Sequence, residues 1–393
     1  MSSSQNCSVL PQDVLFEILS RVPVKDLMRF KCVSKWWNHL VSDPTFVKLH
    51  LQRSSKNTHI LLTFQGIINQ KFELRLYALP CSVQKLVGNP SATVKSSRSH
   101  RFKLDYAVLG VCNGLVSLKD SYIGDEFSDH WVRFWNPSTR IMSEDSPRIR
   151  LHHGDYKGPL LYKFGFGYDD RSESYKVVVL DYKSEKMEVR VHCLGDNCWR
   201  NTLTCDVFPI PAVCRGAACV SGTMNWLGLA KSSSGYQKQE LITVKDLEIF
   251  SYDLKNETCS YLSVPDGLSV AEVHFAQPAL EVFKGCLCLS HQHEGQFDVW
   301  LRREFSDEKS WFKFLNLSHG SPEFSICGFS IYIAVLCVSE NDDFVLLANQ
   351  SDSEFILFNR TDNRIERRYN FKSANSYFYS NDYVESLVLP YRN

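Results

Sequence analysis

Length, composition and charge exclude several classes of protein. The chain has 393 residues and no net charge, and its 44% apolar and 22% charged residues are typical of a globular protein, not of a disordered one. The longest apolar run, residues 331–338, is far shorter than the ~20 residues that span a bilayer, so we expect no membrane partner. No basic and apolar leader precedes the first predicted helix, so the 14 cysteines are expected to be reduced thiols in the cytoplasm or nucleus.

The amino-terminal segment, residues 1–56, predicts three short helices. Pro11 suits the first position of a helix whose apolar residues recur at helical spacing until Pro23 breaks it. A second helix is predicted from Val24 to Lys31, and a third begins after Ser34 as its cap and stops before Pro44. These helices carry more apolar surface than so small a unit can bury alone, and the rest of the chain or another protein could cover it.

Positive charge is concentrated in the same segment. Residues 21–56 hold eight Lys or Arg against two Asp, a net charge of +6, in a chain that is neutral as a whole. The segment is a compact helical unit with no evident helix for reading a nucleic-acid groove. The patch therefore favours an acidic protein partner over nucleic acid.

The segment "LPQDVLFEILSRVPVKDLMRFKCVSKWWNHLVSDPTFVKLHL" resembles a plant F-box over nearly its whole length. The resemblance implies that the helices bind the Skp-type adaptor of cullin–RING ubiquitin ligases through an apolar surface. Matched position by position, it predicts the following adaptor-binding residues: Leu10, Pro11, Ile18, Leu19, Pro23, Leu27, Val33 and Trp37. Trp36 falls where the F-box is variable and is expected to lie off that surface.

The second predicted domain, residues 57–393, consists of short β segments separated by Gly, Asn, Asp and Ser turns. A repeat is marked by Gly114, Gly167, Gly222, Gly285 and Phe344, whose spacings of 53–63 residues suit units of about four strands. With an additional amino-terminal hairpin, the repeat predicts an all-β domain folded as a β-propeller of about six blades. A β-sandwich, or two stacked β domains, is the alternative.

Five segments of the β region carry a second resemblance. They are "GVCNGLVSL", "WNPSTR", "GFGYDDRSESYKVV", "SGTMNWL" and "IFSYDL", which resemble the F-box-associated domain of plant F-box proteins. The Gly-Gly pair that marks a kelch blade is absent from the sequence. Together with the F-box, the resemblance extends over residues 9–390 and implies a propeller that recognises a protein substrate.

Catalytic and metal-binding patterns are sparse. The sequence has no phosphate-binding glycine loop and no nucleophile elbow. One group, Cys286, Cys288, His291 and His293, places four N or S ligands close together, but structural zinc sites usually use a Cys-x-x-Cys spacing, and free cysteines are common in buried strands. We therefore predict no metal, no cofactor and no catalytic residues.

These observations predict a non-catalytic substrate receptor of an SCF-type (Skp–cullin–F-box) ubiquitin ligase. Its expected partners are a Skp-type adaptor, the cullin and RING subunits reached through it, and a protein substrate that the sequence does not identify. Polar insertions at residues 119–130, 146–159 and 230–246 are the predicted substrate loops, because loops on a rigid scaffold often carry recognition. A propeller that binds a small molecule or glycan in its central pocket, and an enzyme on a propeller scaffold, are the alternatives.

Overall fold

The computed structural model describes most of the chain. The described residues are 11–54, 58–68, 73–96, 99–102, 106–153, 162–182, 186–206, 216–229, 243–268, 278–293, 296–305, 307, 309–318, 333–349, 354–370 and 377–391. Leu10 and parts of two predicted substrate loops, residues 154–159 and 230–242, lie outside them. No helix in these ranges is long and apolar enough to cross a membrane.

The amino-terminal module contains four helices in its described part, one more than predicted. They are α1 (Gln12–Leu19), α2 (Val24–Phe30), α3 (Lys35–Ser42) and α4 (Pro44–Arg53). The predicted stop before Pro44 is real, but the same residues also begin α4. The Asp43 carboxylate accepts hydrogen bonds from the backbone N–H groups of Thr45 (2.8 Å) and Phe46 (3.1 Å), and Pro44 occupies the first helical position.

The rest of the described chain forms six antiparallel sheets, which confirms the predicted six-bladed β-propeller. Blade one, the first in chain order, contains β1 (His59–Ile68), β2 (Glu73–Ser82) and β3 (His100–Arg101). Two helices, α5 (Val83–Gly88) and α6 (Pro90–Ser96), lie between β2 and β3. Blade two contains β4 (Ala107–Cys112), β5 (Leu115–Ile123), β6 (Phe127–Asn136), β7 (Ile141–Met142) and β8 (Ile149–His152). Blade three contains β9 (Tyr162–Asp169), β10 (Ser174–Tyr182), β11 (Lys186–Cys193) and β12 (Arg200–Asp206).

The remaining blades follow in chain order. Blade four contains β13 (Ala218–Val220), β14 (Thr223–Leu229), β15 (Leu247–Asp253) and β16 (Thr258–Ser263), with a short 3₁₀ helix at Val244–Asp246. Blade five contains β17 (Ala279–Phe283), β18 (Cys286–His293), β19 (Gln296–Arg302) and β20 (Trp311–Ser318). Blade six contains β21 (Ile333–Val338), β22 (Phe344–Asn349), β23 (Glu354–Asn359) and β24 (Arg364–Asn370). The last strand, β25 (Tyr377–Tyr383), returns to blade one.

The ring is closed by pairing the two ends of the β domain. β25 pairs antiparallel with β1, from Tyr383 opposite His59 to Tyr377 opposite Gln65, and so supplies the innermost strand of blade one. Hydrogen bonds between strands far apart in sequence therefore hold the first and last blades together, and the closed ring leaves no open end to the array.

Hydrophobic cores lie between neighbouring blades. Separate buried clusters join blades one and two, two and three, three and four, four and five, five and six, and six and one. A β-sandwich would instead bury one continuous core between two sheets. Six interfaces arranged in a cycle are the packing of a propeller, and the sandwich alternative is wrong.

Tight turns join the innermost strand of several blades to the second strand. Asn113 and Gly114 (φ 50° and 79°), Ser221 and Gly222 (52° and 75°), and Lys284 and Gly285 (49° and 75°) form two-residue turns with both φ angles positive, the type I′ geometry that suits a twisted hairpin. We call the end of the propeller that carries these turns the lower face. The end where the second and third strands of each blade meet is then the upper face.

Candidate functional site

The amino-terminal module has a small internal core. Leu19 and Leu27, two of the residues predicted to contact the adaptor, are buried in it (6% and 0% exposed) with Leu40, Val41 and Phe46. Polar contacts tie α4 to the first helix, since the Arg53 guanidinium donates to the Ser20 hydroxyl (2.7 Å) and pairs with Glu17. Leu19 and Leu27 therefore stabilise the module from within.

Several other predicted adaptor residues are exposed. Ile18 is 51% exposed and Val33 69% exposed, and Pro11 and Pro23 are exposed as well. The structure adds Val14, 41% exposed and one helical turn before Ile18 on the same face of α1. A single exposed apolar side chain is common, but a group of them on one surface indicates an interaction site.

The two adjacent tryptophans have different environments. Ser34 caps α3 by accepting a hydrogen bond from the Trp37 backbone N–H (3.3 Å), as the sequence predicts. The half-buried Trp37 ring packs at 5.4 Å from Phe30 of α2, and Trp36 lies edge-on to Trp37 at 5.1 Å. Trp36 is 50% exposed. The ring predicted to contact the adaptor is thus fixed between two helices, whereas its neighbour is the more solvent-accessible of the two.

The carboxyl-terminal tail, residues 384–391, completes the core of the module. Leu387 is 5% exposed and belongs to the same cluster as Leu27 and Phe46. The Ser54 hydroxyl donates to the Glu385 carbonyl (3.4 Å), and Lys48 of α4 forms an ion pair with Glu173, in the turn between β9 and β10. The module therefore rests on the lower face of the propeller, across the boundary predicted at residues 56 and 57.

Two of the segments that resemble the F-box-associated domain hold this tail. The Asn136 side-chain amide, in "WNPSTR", donates to the carbonyls of Ser386 (3.0 Å) and Val388 (2.8 Å). In "GVCNGLVSL", a Cβ on Gly114 would lie 2.3 Å from the Ser386 hydroxyl oxygen, at a φ of +79° that already favours glycine. The close approach of the tail therefore explains why asparagine occupies position 136 and glycine occupies position 114.

A buried ion cluster anchors the turn that carries Glu173. Lys176, 4% exposed at its side chain, lies 2.9 Å from Asp169 and 3.2 Å from Glu257 of blade four. Burial would raise the pKa of Asp169, but hydrogen bonds from Lys176, Ser172 and a backbone N–H outweigh it and lower that pKa to about 2. The third matching segment, "GFGYDDRSESYKVV", is thus fastened to the neighbouring blade.

The described parts of two predicted substrate loops contribute to one sheet that reaches the upper face of blade two. Residues 119–130 are the ends of β5 and β6, and β8, within 146–159, pairs with β6. We call the side chains at this end of the sheet the blade-two ridge: Tyr122, Ile123, Phe127, Trp131, Arg148 and Arg150. Tyr122 and Ile123 are 60% and 69% exposed.

Arginines cover the aromatic rings of the ridge. The Arg148 guanidinium lies 4.8 Å from the centre of the Trp131 ring, and that of Arg150 lies 3.8 Å from Phe127. Arg150 also donates two hydrogen bonds of 2.8 Å to the Asp129 carboxylate, which lowers the pKa of Asp129. These contacts fix aromatic and arginine side chains, the residue types that dominate binding energy in protein interfaces.

A cavity of about 690 Å³ follows the propeller axis, lined by the inner strands. Asp382 of β25 lies in its wall and accepts a hydrogen bond from the Gly285 N–H (3.4 Å). Burial raises the pKa of Asp382 to about 6. The backbone hydrogen bonds and the charge of Lys284 lower this pKa, but their effect is smaller than that of burial.

The Cys286, Cys288, His291 and His293 group does not come together in space. All four lie on β18, where alternate side chains point to opposite faces of the sheet. Cys288 packs in the core between blades five and six, whereas Leu287 and Leu289, which share the face of the histidines, pack between blades four and five. A single site containing both cysteines and both histidines is therefore excluded by the strand.

The fold is a helical module with an exposed apolar surface, fastened to a six-bladed propeller. The chain belongs to the F-box-associated β-propeller family: residues 67–389 match the family described as "F-box associated beta propeller domain", and residues 7–49 match the F-box domain. It has the architecture of an F-box substrate adaptor, in which the F-box implies binding to a Skp-type protein and the propeller implies binding to a substrate.

Similar proteins include F-box proteins from Arabidopsis thaliana. The chain is 27% identical over 397 residues to the F-box/kelch-repeat protein At3g23880, with 97% of this chain and 96% of that protein covered. It is 25% identical to the F-box protein CPR1, with 97% of this chain and 89% of that protein covered. The match thus extends over both modules.

Proposed function

We propose that this protein is the substrate-recognition subunit of an SCF-type E3 ubiquitin ligase that recruits a protein for ubiquitination and proteasomal degradation. The F-box binds a Skp-type adaptor and, through it, the cullin and RING subunits. Ubiquitin transfer occurs on those subunits, so this chain needs no catalytic residue. Its contribution is proximity, because holding the substrate beside the charged conjugating enzyme replaces a bimolecular encounter by a tethered one.

The observation that supports this proposal best is the joint between the two modules. Leu387 completes the F-box core, Ser54 bonds to the tail, and Lys48 pairs with the lower face of the propeller. These contacts orient the F-box relative to the propeller. A receptor of this kind gains effective concentration only if the substrate stays within reach of the ligase, and a fixed joint restricts that distance.

The adaptor surface in this proposal includes the exposed part of the predicted set. Pro11, Ile18, Pro23, Val33 and the edge of Trp37 contact the adaptor, and Leu19 and Leu27 support them from the core. The positively charged residues around the helices favour encounter with an acidic partner. Leu10 stays a prediction, because it lies outside the described residues.

The substrate surface in this proposal is the blade-two ridge. It lies on the upper face, opposite the F-box, and its Tyr122 and Ile123 are the large apolar side chains most exposed in the described part of the propeller. A protein substrate would bury these side chains against an apolar surface and leave the paired arginines at the rim. We propose that this activity lies in the cytoplasm or nucleus, the compartments expected from the reduced thiols.

The experiment is affinity capture of the full chain from plant cells in which cullin activation is inhibited. We expect the Skp-type adaptor, cullin and RING subunits to co-purify with the wild-type chain and with a Tyr122→Ala/Ile123→Ala variant. Substrate candidates, recorded in parallel by proximity labelling, should be lost with that variant and kept with an Arg364→Ala variant on the outer strand β24. A wild-type chain that captures no adaptor, although folded, would contradict the ligase assignment.

The axial cavity supports a second candidate, a propeller that binds a small molecule or glycan. Its volume falls within the ~300–1,000 Å³ common for ligand pockets, and Asp382 offers one buried carboxyl group. Thermal unfolding of the full chain with a panel of oligosaccharides and small amines tests it. An increase in the unfolding midpoint that Asp382→Asn abolishes would support this candidate, and unchanged midpoints with every compound would remove it.

A further inference from the structure

Three potential metal ligands converge at the upper end of blade five. His291 and His293 lie on one face of β18, and Asp298 of β19 is directly opposite His291 in the strand register. Their ligand atoms all lie within 4.8 Å of one another, and the His293 Nε2 atom is 3.0 Å from the Asp298 carboxylate. The two imidazole rings stack with centres 5.2 Å apart. Two nitrogens and a carboxylate oxygen form a donor set that suits zinc.

His291 has a feature that packing alone does not explain. Its side chain is 1% exposed, yet neither ring nitrogen has a hydrogen-bond partner within the described ranges of the chain. Buried polar groups are nearly always paired, because leaving one unpaired costs about 1–3 kcal/mol. An imidazole nitrogen without a hydrogen-bond partner can donate its lone pair to a metal ion.

Asp298 already interacts with a cation. The Lys313 ammonium group is 2.8 Å from its carboxylate, and Asn316 donates a hydrogen bond of 2.6 Å. Burial would raise the pKa of Asp298, but the hydrogen bonds from Lys313, Asn316 and His293 outweigh it and keep that pKa low. The Lys313 side chain is 40% exposed and therefore can swing into solvent, which opens a path to the ligands.

We propose that His291, His293 and Asp298 bind a zinc ion, with Lys313 as the cation that occupies the carboxylate when zinc is not bound. Zinc bonds of ~2.0–2.1 Å in tetrahedral geometry hold ligands roughly 3.4 Å apart, so shifts of about 1 Å by the two rings close the site. Both strands of the β18–β19 hairpin contribute ligands. The ion therefore fastens this hairpin on the upper face, and its fourth position accepts water from the side that Lys313 vacates.

The test is zinc binding by the full-length chain, measured by competition with a chelating dye in reducing buffer. The wild-type chain should bind one zinc ion that His291→Ala and His293→Ala each weaken by at least about a hundredfold. Lys313→Met should tighten binding about tenfold, because it removes the competing cation. A merely structural role of the histidines predicts no such gain.

The matched control is a Cys286→Ser/Cys288→Ser variant, altered on the same strand but on its opposite face. It should bind zinc as the wild-type chain does, and Co²⁺ bound to the wild-type chain should show no sulfur-to-cobalt absorption in the near ultraviolet. Should His291→Ala unfold the blade, His293→Ala decides the question, because the His293 side chain is 14% exposed. Equal zinc affinity in the wild-type chain and His293→Ala, loss of zinc with the cysteines, or an unchanged affinity in Lys313→Met would each overturn the proposal.

Discussion

The contact between Leu387 and the F-box core predicts that a residue at the far end of the chain stabilises the first helices. Leu387→Ala removes three side-chain carbons, one methine and two methyl groups, from a position that is 5% exposed. Such substitutions in cores cost about 2–5 kcal/mol, and we expect a cost toward the lower end, about 2–3 kcal/mol. A four-helix unit this small has a low free energy of unfolding, so a loss of about 2–3 kcal/mol is a large fraction of its stability.

Hydrogen exchange of the full chain measures this effect locally. At about 1.4 kcal/mol per factor of ten, amides of α1 and α2 that exchange by opening of the module should exchange roughly 30- to 150-fold faster in Leu387→Ala. Amides of the propeller strands should keep their protection. Val388→Ala is the matched control, since Val388 is the next residue of the tail and packs against blades two and three.

Two results would refute this account of the joint. Unchanged exchange in α1 and α2 of a folded Leu387→Ala chain would show that the tail does not support the F-box. Equal acceleration by Val388→Ala would show that the tail acts only through the propeller. The same contact implies that residues 1–56 alone bind the adaptor more weakly than the full chain, because their core lacks Leu387.

Further predictions concern the adaptor surface, the tail, the ion cluster and the thiols. Trp37→Ala should cost ~2 kcal/mol or more of adaptor binding, about a thirtyfold rise in Kd, and Trp36→Ala should cost clearly less. Titration of purified adaptor measures both losses, and equal losses would mean that α3 is oriented differently. Gly114→Ala should lower the unfolding midpoint by several degrees, since its Cβ would lie 2.3 Å from the Ser386 oxygen, and an unchanged midpoint would contradict the close approach. Asp169→Asn should cost about 3 kcal/mol in denaturant unfolding by leaving Lys176 with less compensation. Because the folded pKa of Asp169 is lowered from 3.8 to about 2, its contribution to stability is present above pH 3.8 and is lost as the pH falls to about 2, so wild type and Asp169→Asn should converge in acid. Thiol titration of the unfolded, unreduced chain should find nearly all 14 cysteines free, and several protected pairs would contradict the reducing compartment.

Local sequence patterns determined the secondary structure and the number of blades. Caps, helix breaks and tight turns depend on interactions between residues at most about four apart, which a sequence shows directly. The examples here are the Ser34 cap, the break at Pro23 and the turns at Gly114, Gly222 and Gly285. The repeat spacing follows from these turns and gives six units. Gly167 matched the spacing but lies inside β9, where a Cβ would be 2.4 Å from the Cys219 sulfur, so its role is close blade packing and not a turn.

Only tertiary structure decided which surfaces these elements form. The sequence placed Cys286, Cys288, His291 and His293 close together. Their separation onto two faces became visible only from the continuous β18 and its pairing with β19. The predicted loop at residues 119–130 is likewise a strand pair, because β8 extends the sheet beside it. Asp298, seven residues beyond His291, entered no sequence pattern because cross-strand pairing alone places them together.

The joint between the modules depends on contacts that no local pattern contains. Leu387 reaches helices more than 300 residues earlier, and Asn136 bonds to Ser386 across 250 residues of sequence. The F-box sequence by itself determined that its helices carry an apolar surface that must be covered. It did not determine how much of that surface is covered by this chain and how much is left for another protein. That division was decided by the closure of the ring, because β25 must pair with β1 before the tail can emerge beside the F-box and bury Leu387 there.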